Sequence, residues 1–425
     1  MRVLVLGINY SPEETGIAPF NTGRCEYLAG RGHEVRMCTG LPYYPAWRIR
    51  DEYRGHLFTR EAVNGVTVLR SYLYVPRRVT AARRILHEAS FVLSASLRAL
   101  LGPRPDVLFV VSPPLGLALP AVLLSRVWRV PYVFHVTDLQ PDSALDLGML
   151  PPGPLARALY GLERLGYRRA ALVSTLNEVM RRRIVTKGIP DDKVMLLSDW
   201  ADPALFSVPV QGGGGAFRRA FGLGSRFLVV HAGNMGVKQG LDTVLGAAEQ
   251  SRDDADLVYL LVGDGAMRGS LEGRAAALGL SNVRFIPLQP RTMFRELLAA
   301  ADVCLVTQQR TVADIVFPSK VLTLLAAGRP VVASVSPESE VARVVREGGA
   351  GLVVPPEDPR ALREAVETFR RDAAARQASG ESGRAYARQH WDHERILFEM
   401  EARLRRLVGS DARVSTLSPE PDRVR

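Results

Sequence analysis

The sequence predicts an α/β protein made of two doubly wound, Rossmann-like domains. Short, almost continuous apolar runs alternate along the 425 residues with segments of helical periodicity. Apolar strands separated by helices are typical of parallel sheets that are covered on both faces. A chain of this length also exceeds what one hydrophobic core ordinarily holds. Because the runs fall into two sets, we expect two domains, each with its own parallel sheet.

Twelve strand-like runs, six in each half of the chain, support this prediction. They read VLVLG, EVRMCTG, VTVLRSY, DVLFVV, YVFHV and ALVST in the first half, and FLVVHAG, LVYLLVGDG, NVRFIPL, DVCLVTQ, PVVAS and GLVV in the second. Their β-branched residues and short length favour strands over helices.

The boundary between the two domains is predicted at a run of four glycines, Gly212–Gly215. Such a run favours neither helix nor strand and is typical of a flexible junction. We therefore expect a first domain over residues 1–210 and a second over residues 211–382. Residues 383–408 follow with a helical apolar pattern. Residues 409–425 hold too little apolar material to pack, which predicts a disordered tail.

The cysteines and the apolar segments of the sequence indicate the cellular compartment of the protein and whether it binds metal or spans a membrane. The three cysteines are far apart and show neither disulfide nor metal spacing, which favours a reducing cytoplasm and no bound metal. The N-terminal MRVLVLG reads as a strand rather than as a secretion signal. Residues 107–125 are uncharged and long enough to span a bilayer, but prolines interrupt them, so we expect a strand, a turn and a buried helix.

The net charge of +11 arises mostly in the first half of the chain. Such an excess is typical of a protein that meets an acidic ligand or an anionic membrane surface, and it also fits an arginine-rich composition without a partner. No basic–aromatic platform or recognition motif indicates nucleic acid.

Two segments of the second domain predict an anion site. Gly233 and Lys238 lie between a strand and a helix, where glycine exposes backbone N–H groups to a bound anion. In FPSKVLTLL, Ser319 is placed to cap a helix and Lys320 falls in its first turn. A cation there costs roughly a few tenths of a kcal/mol, and a bound anion would reverse this. Neither a P-loop nor a G-x-G-x-x-G pattern is present, which disfavours NTPases and nicotinamide enzymes.

The first domain offers a second group of candidate residues. Gly16 follows the first strand and precedes a helix, and a glycine at a helix N-terminus suits a diphosphate. His135 leaves a strand in HVTDLQPDSALD, with Asp138 and Asp142 close behind. Ligands of open parallel sheets bind at the carboxyl ends of strands. We therefore predict a site role for His135 and Asp138, although a lone histidine is more often structural.

Together these segments resemble glycosyltransferase family 4. The resemblance covers residues 1–408 and rests on YSPEETGIAPFNTG, GHEVRMCTGLPYYP, HVTDLQPDSA, SDWADPALF, GNMGVKQGL, LVGDGAMRGSL, ADVCLV and PSKVLTLLAAGRPVVAS. It implies the GT-B fold, in which two Rossmann-like domains face a central cleft and a C-terminal helix, here 383–408, returns to the first domain. The most similar subgroup acts in bacterial exopolysaccharide and O-antigen assembly and includes the colanic-acid type.

The resemblance further implies a retaining transfer of a sugar from a nucleotide-diphosphate donor to a polyprenyl-diphosphate-linked or other glycan acceptor, without a cofactor. The chain departs from the family at its donor site. Asn234 and Gln239 stand where most members have the arginine and lysine that bind the diphosphate, and Lys238 is placed to substitute. Two family glutamates are replaced by Ile315 and Thr323.

Asp314 is adjacent to Ile315 and is placed to perform the role of the first missing glutamate. The predicted donor-binding residues are Gly16, Gly233, Asn234, Lys238, Gln239, Asp314, Ser319, Lys320 and Thr323.

The predicted chemistry is front-face attack, in which the leaving phosphate takes the acceptor proton, as the resemblance implies. Lys320 would stabilise the departing phosphate, and His135 and Asp138 would position a sugar. Closure across Gly212–Gly215 would exclude water. A nucleotide-sugar 2-epimerase, or a non-catalytic subunit that binds nucleotide sugar or lipid, remains an alternative.

Clusters of arginine predict peripheral attachment to the cytoplasmic membrane face. They comprise Arg77, Arg78, Arg83 and Arg84 before an apolar helix at about 85–101, then Arg157, Arg164 and Arg168 on one helical face, and Arg181–Arg183. Each basic residue near an anionic surface contributes about 1 kcal/mol. The alternative is a solvated basic surface.

Overall fold

A computed structural model describes residues 1–78, 80–146, 151, 153–311 and 320–415. The chain forms two compact units. The first unit comprises Met1–Ser198 with Glu394–Arg425, and the second comprises Asp199–His393. The division falls twelve residues before the boundary predicted after residue 210.

The first unit is built on one sheet with the order β3-β4-β2-β1-β5-β6-β7-β8. All neighbours are parallel except β3 and β4, which pair antiparallel at one edge. The strands are Arg2–Leu6 (β1), Glu34–Gly40 (β2), Phe58–Val63 (β3), Val66–Ser71 (β4), Val107–Ser112 (β5), Tyr132–Val136 (β6), Leu172–Thr175 (β7) and Val194–Leu196 (β8).

The second unit is built on a fully parallel sheet with the order β11-β10-β9-β12-β13-β14. This is the doubly wound order, in which the chain moves outward from β9 in one direction and then from β12 in the other. The strands are Phe227–Ala232 (β9), Leu257–Val262 (β10), Val283–Ile286 (β11), Val303–Thr307 (β12), Val331–Ser334 (β13) and Gly351–Val354 (β14).

Helices cover both faces of each sheet. The first six, all in the first unit, are Ala18–Gly30 (α1), Ala81–Leu100 (α2), Ala118–Trp128 (α3), Gln140–Asp146 (α4), Pro154–Arg169 (α5) and Glu178–Thr186 (α6). The next are Gly215–Ala220 (α7), Asp242–Glu249 (α8), Arg268–Ala277 (α9), Arg291–Ala300 (α10), Lys320–Ala326 (α11), Glu340–Glu347 (α12), Pro359–Arg371 (α13), Ala373–His390 (α14) and His393–Ser415 (α15).

Side-chain caps explain where several of these helices begin. Asn177, Ser339, Asp358 and Asp372 each accept a hydrogen bond from a backbone N–H in the first turn of α6, α12, α13 and α14 respectively. Each such cap contributes about 1 kcal/mol. The helices therefore start where the sequence provides a short polar side chain.

All twelve predicted strand runs form strands, and two further strands were missed. The fully buried runs were recognised because strands covered on both faces are apolar throughout. β3 lies at the sheet edge and alternates between exposed and half-buried residues. β8 has only three residues. Short or edge strands carry little apolar signal, which is why sequence reasoning overlooked them.

The glycine run is not the flexible junction that we predicted. Gly212–Gly215 lies inside the second unit. Gly214 has φ +75°, and a Cβ placed there would lie 2.3 Å from the backbone nitrogen of Ala300 at the end of α10. A Cβ on Gly213 would lie 2.8 Å from the Cβ of Ala299. The glycines are therefore needed for close backbone packing, and closure across them is not supported.

The C-terminal segment also differs in its bounds. The predicted helix over 383–408 is two helices, because α14 belongs to the second unit and only the chain from Glu394 onward joins the first. α15 continues to Ser415, so residues 409–415 are helical rather than part of a disordered tail. The remaining predicted tail lies outside the described residues.

A buried ion cluster centred on Glu401 fastens α15 to the first unit. Its carboxylate accepts hydrogen bonds from Arg31 Nε at 3.2 Å and Arg405 Nη2 at 2.7 Å, and it contacts His33 Nε2 at 3.0 Å. Burial alone would raise the pKa of Glu401, but hydrogen bonds from Arg405 and His33, followed by the charge of Arg405, lower it to about 2. The ionised form therefore stabilises the docked helix.

We expect Glu401→Gln to lower the free energy of unfolding by on the order of 2 kcal/mol at neutral pH. Because the folded-state pKa is depressed, this contribution is present above the unfolded pKa and is lost as the pH falls towards the folded value. Urea titrations from about pH 7 down to about pH 3 should therefore show the wild type converging on the variant. Glu399→Gln, on the exposed side of α15, is the control. A difference between wild type and Glu401→Gln that is independent of pH would contradict this assignment.

The segment considered as a membrane span has the structure predicted for it. Residues 107–125 contain β5, a turn and most of α3. In the described part of the chain, no helix combines the length and the apolar character needed to cross a membrane. Cys25, Cys38 and Cys304 are buried free thiols.

Candidate functional site

The second sheet changes winding direction between β9 and β12, and the candidate site lies where these two strands end. Their carboxyl ends are Ala232 and Thr307. In doubly wound sheets, ligands bind outside the carboxyl ends of strands at this switch point. The segments that follow β9, β10 and β12 therefore form the candidate ligand-binding edge of the sheet.

Three glycines let the loops after β9 and β10 pack backbone against backbone. Gly233, Gly263 and Gly265 have φ of +135°, +140° and +156°. A Cβ on Gly263 would lie 2.0 Å from the carbonyl oxygen of Gly233. A Cβ on Gly265 would lie 2.6 Å from the backbone of Met235. Only glycine fits at these positions, so the two loops form one rigid wall.

The loop after β9 is closed by a short turn. The amide of Gly236 donates to Oε1 of Gln239 at 3.0 Å, and the hydroxyl of Thr307 donates to the carbonyl of Gln239 at 2.7 Å. The amide of Gln309 donates to the carbonyl of Lys238 at 2.9 Å. Gln239, predicted to bind the donor, thus holds the shape of the loop. The side chain of Asn234 is exposed, and that of Lys238 is half-buried.

Lys320, the first residue of α11, reaches across to this wall. A Cβ on Gly233 would lie 3.3 Å from both Cε and Nζ of Lys320, so the ammonium group lies directly over the glycine. Burial lowers the pKa of Lys320 to about 8. Within the described ranges, Nζ forms no hydrogen bond or ion pair. A buried cation of this kind is stabilised most readily by an anionic ligand.

His231, on β9, was not identified from the sequence. Its ring is fully buried, and Nε2 lies 3.3 Å from the carbonyl of Asn234. Burial, followed by the charge of Lys320, lowers its pKa well below the ordinary value, so the ring is neutral. Arg268 was also missed, and its Nη1 donates to the carbonyl of Gly263 at 2.6 Å. The only sequence signal for either residue was its position within a strand–glycine segment.

Some predicted donor-site residues cannot be placed. Asp314 and Ser319, as well as Ile315, lie outside the described residues. Thr323 lies on α11 one turn after Lys320 and is half-buried. The structure thus brings Lys320 to Gly233, and it places Lys238 on the same loop.

The first unit has its own organised loop after β1. Gly16 has φ +65°, and α1 begins two residues later, as predicted. Glu13, which the sequence analysis did not single out, is almost completely buried. Its carboxylate accepts the amides of Tyr43 and Tyr44 at 2.8 Å each and a hydrogen bond from Asn9 at 2.9 Å. Glu13 therefore fixes the loop that contains Gly16 against the chain after β2.

His135 lies on β6 next to the strand's last residue and is fully buried. Its Nδ1 lies 2.9 Å from the hydroxyl of Ser174 on β7, and its ring is 5.5 Å from that of Phe109. Burial, followed by the charge of Arg24, lowers its pKa well below the ordinary value. Nε2 has no hydrogen-bond partner among the residues described here. A contact between His135 and a sugar remains a prediction.

The predicted carboxylates beside His135 have structural partners. Asp138 accepts a hydrogen bond from the hydroxyl of Ser143 at 2.5 Å and so closes the first turn of α4. Asp142 pairs with Lys187, which also binds Glu163 at 2.8 Å. In the described parts of the chain, no group of three or more His, Cys, Asp or Glu residues is arranged to hold a metal.

Chemically, the loops of the second unit offer fixed backbone dipoles and a buried ammonium group at one place. This arrangement suits stabilisation of a negatively charged group, such as a phosphate that gains charge as a bond breaks. In the first unit, the loop after β1 has a shaped backbone, and β6 carries the buried imidazole of His135.

Both halves of the chain match known domain families. Residues 15–200 match the glycosyl transferase 4-like domain, and residues 226–372 match the glycosyl transferases group 1 domain. Over 404 residues, the chain is 34% identical to a putative colanic acid biosynthesis glycosyl transferase, WcaI, of Escherichia coli (strain K12). The aligned region covers 93% of this chain and 98% of that relative. It is 26% identical over 266 residues to a probable glycosyltransferase, WbjE, of Pseudomonas aeruginosa, covering 62% and 66% of the two chains.

Solved structures share the fold at lower identity. HepE of Anabaena, solved in complex with UDP, superposes with a TM-score of 0.69 at 18% identity, covering 95% of this chain and 99% of that one. Sucrose-phosphate synthase of Thermosynechococcus elongatus superposes with a TM-score of 0.73 at 18% identity, covering 96% and 99%. These likenesses confirm the predicted GT-B type of fold, with two parallel-sheet α/β domains.

Proposed function

Because this chain belongs to the glycosyltransferases that combine a glycosyl transferase 4-like domain with a group 1 domain, we propose that it is a retaining enzyme of bacterial polysaccharide assembly. It takes a sugar from a nucleotide-diphosphate donor and passes it to a glycan acceptor carried on a polyprenyl diphosphate. The similarity to the colanic acid relative supports the polysaccharide assignment.

The observation that carries the proposal is the buried ammonium group of Lys320 over Gly233. Breaking a sugar–diphosphate bond transfers negative charge to the leaving phosphate. An ammonium group that is partly removed from water, beside a rigid glycine wall, interacts with that charge more strongly than a solvated lysine would. Lys238 supplies a second cation on the same loop and partly replaces the basic residues that Asn234 and Gln239 do not provide.

In the proposed reaction the acceptor hydroxyl attacks the anomeric carbon from the face that the diphosphate leaves. Its proton passes to the departing phosphate oxygen, and the sugar keeps its configuration. His135 and Asp138 are proposed to position a sugar, and neither acts as the general base. The charge on the diphosphate is neutralised by lysine, so we expect turnover to survive chelation with EDTA.

A donor panel tests the first part of the proposal. A bound donor at a hundred times its dissociation constant should raise the free energy of unfolding by about 2.7 kcal/mol, which thermal shift detects. The stabilising donor is then incubated with a lipid-linked acceptor, and the product is examined for one added sugar. Epimerisation of the donor without acceptor would contradict transfer, and stabilisation by no nucleotide sugar would contradict donor binding.

We also propose that the enzyme docks peripherally on the anionic cytoplasmic face of a membrane. An apolar patch supports this. It lies on the contacting helices α2 and α3, and we call it the α2–α3 patch: Ile85, Leu86, Leu93, Leu97, Leu100, Leu101, Leu119, Leu123 and Val127, all exposed. The arginines that precede and begin α2 are also exposed. Apolar side chains with a basic rim suit an interfacial site on anionic lipid.

We expect vesicle binding that increases with anionic lipid content and weakens with salt. Replacing Leu93 and Leu97, which are 73% and 53% exposed, with glutamine should cost about 1–2 kcal/mol of binding each, since the apolar side chains no longer enter the bilayer. Leu288→Gln, at an equally exposed leucine of the second unit, is the control. Co-sedimentation measures the effect. Equal binding to neutral and anionic vesicles, or no loss in the double variant, would contradict membrane docking.

A further inference from the structure

The second unit contains a cavity that the proposed donor site does not use. It measures about 370 Å³ and is lined by residues that include Gly212, Gly213, Arg218, Asp302, Arg329 and Arg376. Asp302 immediately precedes β12, and the residue after Arg329 immediately precedes β13. Because the strands are parallel, the cavity lies at the amino edge of the sheet, opposite the edge that holds Gly233 and Lys320.

Among the residues that the structure describes, three guanidinium groups line this cavity and Asp302 is its single lining carboxylate. Arg218 pairs with Asp302 at 3.1 Å and donates to the carbonyl of Ala300 at 2.7 Å. Arg329 is almost completely buried and donates to the carbonyls of Ala301 and Pro209 at 3.1 and 2.6 Å. These two arginines are therefore held in place by the walls.

Arg376 is the least constrained of the three. Its Nη1 donates to the carbonyl of Phe369 at 2.6 Å, and its guanidinium lies 5.2 Å from the ring centre of Phe227. In the described part of the chain, no carboxylate pairs with Arg376. A guanidinium group has five N–H donors, so Arg376 keeps donors for a ligand.

Glycine backbone forms another part of the cavity lining. Gly212 has φ +71°, and Gly213 lies so close to Ala299 that a side chain would not fit. Gln211 and Gln377 also line the cavity, and their exposed side chains form a hydrogen bond of 2.6 Å. The glycine run, which does not serve as a junction, thus shapes one side of a pocket.

We propose that this cavity binds a phosphomonoester of about the size of a hexose phosphate. Three arginines and one aspartate leave two positive charges in the lining, and a phosphomonoester carries about −1.5 to −2 near neutral pH. The planar fork of arginine suits phosphate oxygens. The volume lies at the lower end of the range of about 300–1,000 Å³ for small-molecule pockets, which leaves room for a sugar-sized body beside the phosphate.

Isothermal titration calorimetry with hexose 1- and 6-phosphates, inorganic phosphate and unphosphorylated hexose tests this proposal. We expect at least one hexose phosphate to bind the wild type, and the unphosphorylated hexose not to bind. Arg376→Gln should weaken binding at least about tenfold, as expected for loss of one charged hydrogen-bond partner. Arg371→Gln, whose side chain is exposed on α13 outside the cavity, should bind like the wild type.

The variant Lys320→Ala separates this site from the donor site. Binding of the hexose phosphate should be unchanged in Lys320→Ala, whatever that variant does to nucleotide binding. Loss of binding in Lys320→Ala with retention in Arg376→Gln would place the ligand in the donor site and overturn the proposal. Failure of every hexose phosphate to bind would also overturn it, as would inorganic phosphate binding as tightly as the ester. Arg376→Lys keeps the charge without the planar fork, and it should therefore retain binding only in part.

Discussion

Replacing Lys320 with alanine is expected to reduce turnover by about 100- to 1,000-fold, the usual effect of removing a group that stabilises charge in the transition state. The same variant should bind nucleoside diphosphates more weakly. The reason is the position of Nζ, which lies over Gly233, where burial disfavours its charged form unless an anion binds. Initial rates with saturating donor, together with calorimetric titration of the nucleoside diphosphate, measure the two effects.

Two further lysine variants refine this result. Lys320→Arg should recover only part of the activity, because a longer planar cation does not fit a site shaped around a point charge. Lys238→Ala should impair binding and turnover less than Lys320→Ala, since it is the ammonium group of Lys320 that lies over Gly233. Lys193→Ala, in the first unit, is the matched control and should behave like the wild type. Wild-type turnover and nucleotide affinity in Lys320→Ala would show that the phosphate site is misplaced.

The lowered pKa of Lys320 predicts a pH dependence of donor binding. A bound anion favours the protonated lysine and so raises its pKa. Above the pKa of the free protein, where the lysine is neutral, the protein must therefore take up a proton when the anion binds. Affinity for a nucleoside diphosphate should therefore be constant from about pH 7, where its terminal phosphate is mostly ionised, to a pH of about 8, and it should fall above that. This fall should be absent in Lys320→Ala. A wild-type affinity that does not fall above this pH would contradict the assignment of the buried lysine.

The second large effect is expected for Gly263→Ala. Its Cβ would lie 2.0 Å from the carbonyl oxygen of Gly233, and the residue has φ +140°. Backbone strain and overpacking together should lower the free energy of unfolding by about 2–5 kcal/mol. Because the loop after β9 must move away, binding of nucleoside diphosphate should be lost even where the protein stays folded. Urea denaturation and calorimetric titration of the purified variant measure both.

A neighbouring glycine provides a control, because its replacement by alanine should raise the free energy of unfolding rather than lower it. Gly269 lies on α9 with ordinary helical backbone, and a Cβ there would meet no atom within 4 Å. Gly269→Ala should therefore stabilise the protein by about 0.4–1 kcal/mol and leave donor binding unchanged. If Gly263→Ala binds nucleotide like the wild type, the two glycine loops are not the rigid wall described above.

The sequence predicted the parts of the fold whose signal is local. Strands buried on both faces, such as β9 and β10, are apolar throughout, and all the runs of this kind were found. β3 was missed because an edge strand alternates polar and half-buried residues. The single helix predicted at the C-terminus is in fact two helices, α14 and α15, which belong to different units. That division depends on tertiary packing, which hydrophobic periodicity does not report.

The candidate site was only partly predictable for the same reason. Lys320 and Gly233 were both selected, but their approach depends on how α11 packs beside β9. Glu13 and His231 had no distinctive spacing, because their roles arise from partners brought together by the fold. The glycine run was misinterpreted as a junction, since only the structure shows Gly214 against Ala300.

The most direct test of the proposed function is the configuration of the sugar that the enzyme adds. With an α-linked nucleotide-sugar donor and a lipid-linked glycan acceptor, we expect one added residue with an α anomeric proton, read from its NMR coupling constant. The yield should fall strongly in Lys320→Ala and remain at the wild-type level in Lys193→Ala. A β-configured product would contradict the retaining reaction, and the absence of any transfer by the folded wild type with a donor that binds would contradict the proposed function itself.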